Sequence, residues 1–308
     1  MALFRYGNII RNRREDLGLT QEDLADGICS VPTLSRIENG ERMPTKNHFE
    51  MLMQRIGYSG TNLDCYVSEN DFIIHELQFQ VRQAYIDGNL ERAKELLDRY
   101  EQLNTDLTQI SKQFLLLYRT LLHQKEYSVE EQKLHYENAL SLTCPKFASS
   151  SHKKIPHVLS YEEIILIHNI SNCNFILGDQ HNAIEVMFQL KAYHQNHIVN
   201  PEESLRTQPL ILYNLSKMLG MVGRYDECIA VCNDAIRLAK STGRCSFLAK
   251  ILYNKAWALL RRGEIGDSLA AQHTAKMAYN MAAIMGKMKS AEHYRHFIEE
   301  NFGENGLL

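Results

Sequence analysis

The sequence predicts an all-α protein in two parts, a small helical head and a longer run of helical hairpins. Three observations carry this expectation. Residues 19–40, LTQEDLADGICSVPTLSRIENG, read as two short helices joined by a turn. Residues 59–71, SGTNLDCYVSEND, are polar and aperiodic, as expected of a linker. From Phe72 onward helical periodicity is nearly continuous, β-branched alternating runs are few, and a glycine-centred pattern recurs. The expected organisation is a head over 1–58, a linker over 59–71 and a repeat domain over 72–308. A chain of 308 residues exceeds what one compact core usually accommodates, which agrees with this division.

Four or five short helices are expected in the head. Thr20, followed three residues later by Asp23, approximates a capping box, although Asp is shorter than the preferred Glu or Gln. A helix then starts at Gln21, turns Leu24 and Ala25 inward, and ends at Gly27. Ser30 caps the next helix, Pro32 is tolerated in its first turn, Leu34 and Ile37 face inward, and Gly40 supplies the stop. Two short helices joined in this way form the helix-turn-helix geometry, whose second helix can enter a major groove.

Residues 7–57 resemble the helix-turn-helix of the phage-repressor-like XRE class through L-T-Q-E-x-L-A, then S-R-I-E-N-G, then Pro44. The resemblance implies that Arg14 and Glu38 form a partly buried ion pair tying the first helix to the recognition helix, a structural role. It also implies that Gln21, at a helix N-terminus, meets a phosphate. Val31, Pro32, Thr33 and Arg36 occupy the outward face of the recognition helix, and Arg36 is the side chain suited to bidentate reading of a guanine. Arg11, Arg13 and Lys46 are expected phosphate contacts. Residues 1–58 carry eight Lys/Arg and eight Asp/Glu, so the head has no net charge with which to hold DNA strongly alone. A homodimer, placing two heads on half-sites about 34–36 Å apart, is therefore a requirement of this reading.

In the longer part, QAYIDGNLERAKELL (83–97), CNFILGDQHNAIEVM (173–187), KMLGMVGRYDECIAV (217–231) and WALLRRGEIGDSLAA (257–271) align on their glycines. Each has a small residue five positions later: Ala93, Ala183, Cys228 and Ser268. A glycine permits the tight turn between two helices, and a small residue lets the second approach the first. A fifth, weaker unit lies at 114–140, and 144–160 is expected to be a long exposed loop. These units resemble tetratricopeptide repeats, which implies a right-handed superhelix of degenerate repeats with a concave surface.

Nine positions before the last three turn glycines stand Asn169, Asn214 and Asn254, each preceded by a ring, His168, Tyr213 or Tyr253. In tetratricopeptide hairpins this position faces the concave groove, where an amide offers both donor and acceptor to the main chain of an extended peptide. One turn further stand Asn172, Lys217 and Trp257, and another turn on, Arg261. Lys217 suits a carboxylate and Trp257 an apolar side chain. The asparagines bonding within the helix stack, and the rings packing, is the alternative at this point.

The helix-turn-helix followed by degenerate repeats resembles the RRNPP family of peptide-sensing regulators, especially its PlcR-like members. The resemblance implies a cytoplasmic, homodimeric transcription regulator that binds operator DNA and is controlled by a short signalling peptide in quorum sensing. A repeat platform for a protein partner, with DNA binding secondary, is the competing expectation.

Other classes find little support. Seven cysteines are scattered without CxxC or zinc spacing, and Cys228 and Cys232, one helical turn apart, read as small core residues before they read as metal ligands. No Gly-rich phosphate loop, Gly-x-Ser-x-Gly or HExxH occurs, so neither an enzyme nor a cofactor is expected. No apolar run approaches the roughly 18–20 residues of a membrane helix, and residues 1–16 lack the pattern of a signal peptide.

Overall fold

The computed structural model describes residues 2–57, 69–104, 107–145, 147, 154–156, 158–196 and 201–303. Every regular element among them is a helix, in the order α1 (Ala2–Asp16), α2 (Gln21–Ala25), α3 (Val31–Glu38), α4 (Lys46–Arg55), α5 (Glu69–Ile86), α6 (Leu90–Leu103), α7 (Gln109–Leu122) and α8 (Val129–Ser141). There follow α9 (Tyr161–Ile176), α10 (Gln180–Asn196), α11 (Pro201–Met221), α12 (Tyr225–Thr242), α13 (Leu248–Arg262), α14 (Asp267–Ile284) and α15 (Met288–Phe302). Most of the expected linker lies outside the described residues, and its last three residues already belong to α5. The loop expected to be exposed over 144–160 lies partly outside them, and of its described residues Cys144, Phe147, Val158, Leu159 and Ser160 are buried, because their side chains pack into the unit rather than face water.

The chain divides into two units, Met1–Asp179 with Asn196–Asn200, and Gln180–Gln195 with Pro201–Leu308. In the first, α1 to α4 enclose Ile10, Leu24, Ala25, Ile28, Leu34, Ile37, Met51, Leu52, Met53 and Ile56. The capping box at Thr20 and Asp23 forms in full despite the shorter acid, and Ser30 caps α3 through the Thr33 amide. Glycine at position 7 is required by packing: a Cβ there would stand 2.2 Å from the Ile37 carbonyl oxygen and 2.8 Å from that of Glu38. The α1 backbone thus rests directly on the end of α3.

The same unit holds α5 and α6 as one hairpin, α7 and α8 as the next, and α9 packed on α8. Gly88 turns the first hairpin at φ +77°, and Ala93 is fully buried where α6 meets α5. The helix-turn-helix head docks on these helices through polar contacts. Arg55 of α4 donates to the Asp26 carbonyl, to the Thr143 carbonyl at 3.1 Å and to Glu163 at 3.5 Å. Gln54 donates to Glu162 at 2.7 Å, which also accepts from Arg82 at 2.8 Å, and Thr108 donates to Glu50 at 2.8 Å. Burial pushes the Glu163 carboxyl up, but Arg55 and the hydrogen bonds from Thr143 and Ser160 outweigh it and hold the group below the usual carboxylate range.

In the second unit α11 pairs with α12, α13 with α14, and α15 covers α14. Alanines 271, 275, 278 and 282, spaced one turn apart, are fully buried along α14 and allow this close approach. One expectation fails here. Ser268, assigned to the close-packed position, is exposed, and Ala271 takes that place. The turn after Gly263 contains a second left-handed glycine, Gly266 at φ +86°, so α14 begins later and the buried position moves by about one turn. Arg262 closes the turn by donating twice to Asp267, at 2.8 and 2.7 Å.

Candidate functional site

Two regions concentrate the residues singled out above. In the head, Glu38 is nearly fully buried and gathers several donors. Arg14 donates to it through Nε at 2.7 Å and Nη2 at 3.1 Å, and Gln21 through Nε2 at 2.7 Å. The Glu38 hydrogen bonds and charge hold the Arg14 guanidinium above its ordinary pKa. The Arg14–Glu38 pair thus joins α1 to α3. It also holds the N-terminus of α2 through Gln21.

The DNA-contact residues fall into two groups. Gln21 spends a side-chain donor on Glu38, Arg11 donates to Asn39 and lies 3.7 Å from Glu38, and Arg13 donates to the Ile56 carbonyl at 3.2 Å. Pro32 and Arg36 stand exposed on α3, and Lys46 stands exposed at the start of α4. Val31 is half-buried against the head core, and the Thr33 hydroxyl shares a 2.9 Å hydrogen bond with Ser30. Of these, Arg36 has its guanidinium on the outer face of the recognition helix with no ion pair among the described residues.

The second region is a cavity of about 410 Å³ in the second unit. Helix α11 contributes Tyr213, Ser216, Lys217 and Met221; α13 contributes Lys250, Tyr253, Asn254 and Trp257; α15 contributes Lys289, Ser290, His293 and Tyr294. Spacings of three and four residues on each helix put these side chains on one face. Five of the residues expected in a ligand groove, Tyr213, Lys217, Tyr253, Asn254 and Trp257, therefore come together. Arg261 lies just beyond, its guanidinium 5.4 Å from the Trp257 ring centre.

The remaining asparagines are placed differently. Asn169 donates to the Ile165 carbonyl at 2.8 Å and Asn214 to the Leu210 carbonyl at 3.1 Å, each within its own helix. Asn172 meets buried His168 at 3.3 Å in the first unit. Only Asn254 lines the cavity. Its side-chain amide nitrogen reaches across to Ser216 at 2.9 Å, tying α13 to α11, and its side-chain oxygen Oδ1 takes no hydrogen bond among the described residues.

Stacked aromatic rings form the cavity floor. Tyr253 stacks on Tyr294 with ring centres 4.7 Å apart, and its hydroxyl meets His293 at 3.1 Å. Tyr213 stacks on Phe247 at 5.5 Å, with the Lys250 ammonium 5.2 Å from the Tyr213 ring. Gly220 lies beside Trp257, where a Cβ would sit 3.4 Å from the indole. Burial, and after it the charges of Lys287 and Lys217, push the Lys250 pKa down. Lys289, His293 and Tyr294 escaped the sequence reading because α15 carries no groove asparagine, and Lys250 because it lies one turn before Asn254, ahead of the positions singled out on α13. Their signal was the i, i+4 recurrence of polar aromatic and basic residues.

A helix-turn-helix family profile matches residues 10–62. No curated protein sequence matches significantly. Among solved structures, the chain is similar to Bacillus thuringiensis PlcR in complex with the peptide PapR7 and DNA, at 17% identity and a TM-score of 0.56, over 94% of this chain and 99% of that one. It is also similar to ComR from S. thermophilus in complex with DNA and its signalling peptide ComS, at 16% identity and a TM-score of 0.52, over 96% and 99% of the two chains. The chain thus holds a helix-turn-helix domain followed by helical hairpins, and over its length it shares the fold of PlcR and ComR.

Proposed function

We propose that the chain is a DNA-binding transcription regulator controlled by a short signalling peptide bound in the cavity between α11, α13 and α15. The observation that carries this reading is the convergence of Tyr213, Lys217, Tyr253, Asn254 and Trp257 on one concave face, in a chain that also holds a helix-turn-helix domain. The cavity volume falls within the roughly 300–1,000 Å³ range of small-ligand sites. Asn254 holds an amide oxygen ready for a peptide N–H, and the stacked rings offer apolar side chains a preformed surface.

The regulator acts as a homodimer in the cytoplasm. A head of zero net charge gains little from electrostatics, so two heads on one operator supply the affinity. Arg36 reads the base edge, and Lys46 with the α2 N-terminus meets the backbone.

The test is a calorimetric titration of peptide fractions from the secreted medium of the source organism into the wild type and Asn254→Ala, paired with operator mobility shifts. Asn254→Ala is expected to weaken binding by roughly tenfold, the cost of one hydrogen bond to a fixed partner. Equal affinity in both proteins removes Asn254 from the site. A protein that binds operator and captures a large partner, but no peptide, supports the docking-platform reading instead.

A further inference from the structure

Helix α14 carries two stripes of side chains on opposite sides. Alanines 271, 275, 278 and 282 form the buried one, and the last three pack against α13 and α15. Leu269, His273, Met277, Asn280 and Ile284 form the other, and all five are exposed. At 3.6 residues per turn these five positions fall within about 80° of the helix circumference, centred opposite the alanines. Ile265 and Met288 stand exposed just beyond either end of the helix. Of the five large apolar side chains most open to water among the described residues, four belong to this line: Ile265, Leu269, Ile284 and Met288, at 108%, 74%, 86% and 66% exposure.

Single exposed apolar residues are ordinary, but a continuous line of them marks a contact surface. Charge agrees. Helix α14 has two charged residues, Asp267, which is bonded to Arg262, and Lys276. The second helix of the preceding hairpin, α12, has five: Asp226, Glu227, Asp234, Arg237 and Lys240. Helix α10 matches α14 in having two, Glu185 and Lys191, yet exposes no large apolar side chain among the described residues.

The line reads alike when the helix is reversed end for end. Reversal places Leu269 on Ile284, His273 on Asn280 and Met277 on Lys276, and it exchanges Ile265 with Met288. A two-fold axis through the middle of α14 therefore sets apolar against apolar at both ends. Between them it sets an imidazole against an amide, which serves either tautomer because the amide both donates and accepts. A surface complementary to itself under two-fold rotation fits a second copy of the same chain. We propose that α14 packs antiparallel on α14 of a second copy and that this contact is the interface of the homodimer. The His273 and Asn280 pairs fix the register, as polar residues in an apolar seam do, and Met277 lies along the aliphatic stem of Lys276 of the other copy. This rests on the homodimer reading given above and locates its contact, on residues none of which lines the cavity.

The test is analytical ultracentrifugation of the full-length protein over a concentration series, with circular dichroism checking that each variant keeps wild-type helicity. Wild type is expected to sediment as a dimer. L269K and I284K each bury a charge against an apolar side chain of the other copy, and each is expected to weaken self-association by on the order of a hundredfold. L269K/I284E sets the introduced lysine of one copy against the introduced glutamate of the other and should recover most of that loss. Parallel pairing would instead set like charges together and deepen it.

A wild-type dimer that L269K and I284K both leave intact would overturn the α14 interface while leaving the homodimer reading standing. Failure of L269K/I284E to recover association would overturn the antiparallel pairing. A wild type that stays monomeric throughout the series, alone and with operator DNA, would overturn both the interface and the homodimer.

Discussion

Glu38 shows how one carboxylate organises a domain. With Arg14 and Gln21 bonded to it inside the head and Arg11 3.7 Å away, it is a buried charge whose desolvation is offset by those partners. Glu38→Ala leaves the Arg14 guanidinium without its counter-charge, and the head is expected to lose about 3–5 kcal/mol in urea denaturation. A loss under about 1 kcal/mol would show that water compensates Arg14 and that the pair is not structural. Arg36 is the opposite case. It is exposed on α3, so Arg36→Ala should leave stability within about 0.5 kcal/mol while costing about 1–3 kcal/mol of discrimination at one operator position. Mobility shifts on single-base operator variants separate the two; uniform weakening across all variants would make Arg36 a phosphate contact instead.

At the scale of the helix, contact geometry overrides propensity. Position 7 lies within α1, where alanine is intrinsically favoured over glycine by about 1 kcal/mol. A Cβ there would collide with the backbone carbonyls of Ile37 and Glu38, which have no flexible end to move aside. Gly7→Ala is therefore expected to lower stability by about 1–3 kcal/mol, read as a fall in melting temperature. A rise in melting temperature would mean that α1 is free to shift off α3. The turn before α14 teaches a related lesson: inserting Gly266 moved the buried small residue from Ser268 to Ala271.

Across the whole molecule, buried titratable groups set the acid limit. Burial lowers the pKa of both His168 and His194 to about 4, while the unfolded chain titrates near 6.5. Between those values the unfolded state binds more protons than the folded state, so stability falls as pH drops from about 6.5 toward 4. Glu163 is depressed in the folded state, so its contribution is present above the unfolded carboxylate value of about 4.3 and disappears as pH falls through the folded value. Melting temperature followed from pH 7 to 3 should decline through the first window and steepen in the second. His194→Gln, which keeps a polar partner for Ser204 and Thr207, should flatten the first window, and an unchanged slope there would refute the assignment.

The sequence by itself determined the all-helical class, the caps and stops of α2 and α3, the Arg14–Glu38 pair and most of the cavity residues on α11 and α13. The class, the caps and the cavity residues rest on local chemistry, namely a capping side chain, a left-handed glycine, or side chains three and four residues apart on one helix face; the Arg14–Glu38 pair, 24 positions apart, is implied by the resemblance to the XRE class. The tertiary structure alone decided which asparagines reach a cavity. Asn169, Asn214 and Asn254 share a register, yet the first two donate to carbonyls of their own helices while Asn254 donates across to Ser216 on a neighbouring helix. Only the fold brought Lys250 and Lys289 beside Lys217, and Arg55 to Glu163, which lies 108 positions later in the chain. Such meetings depend on how successive hairpins pack, a relation between distant segments that no single segment encodes.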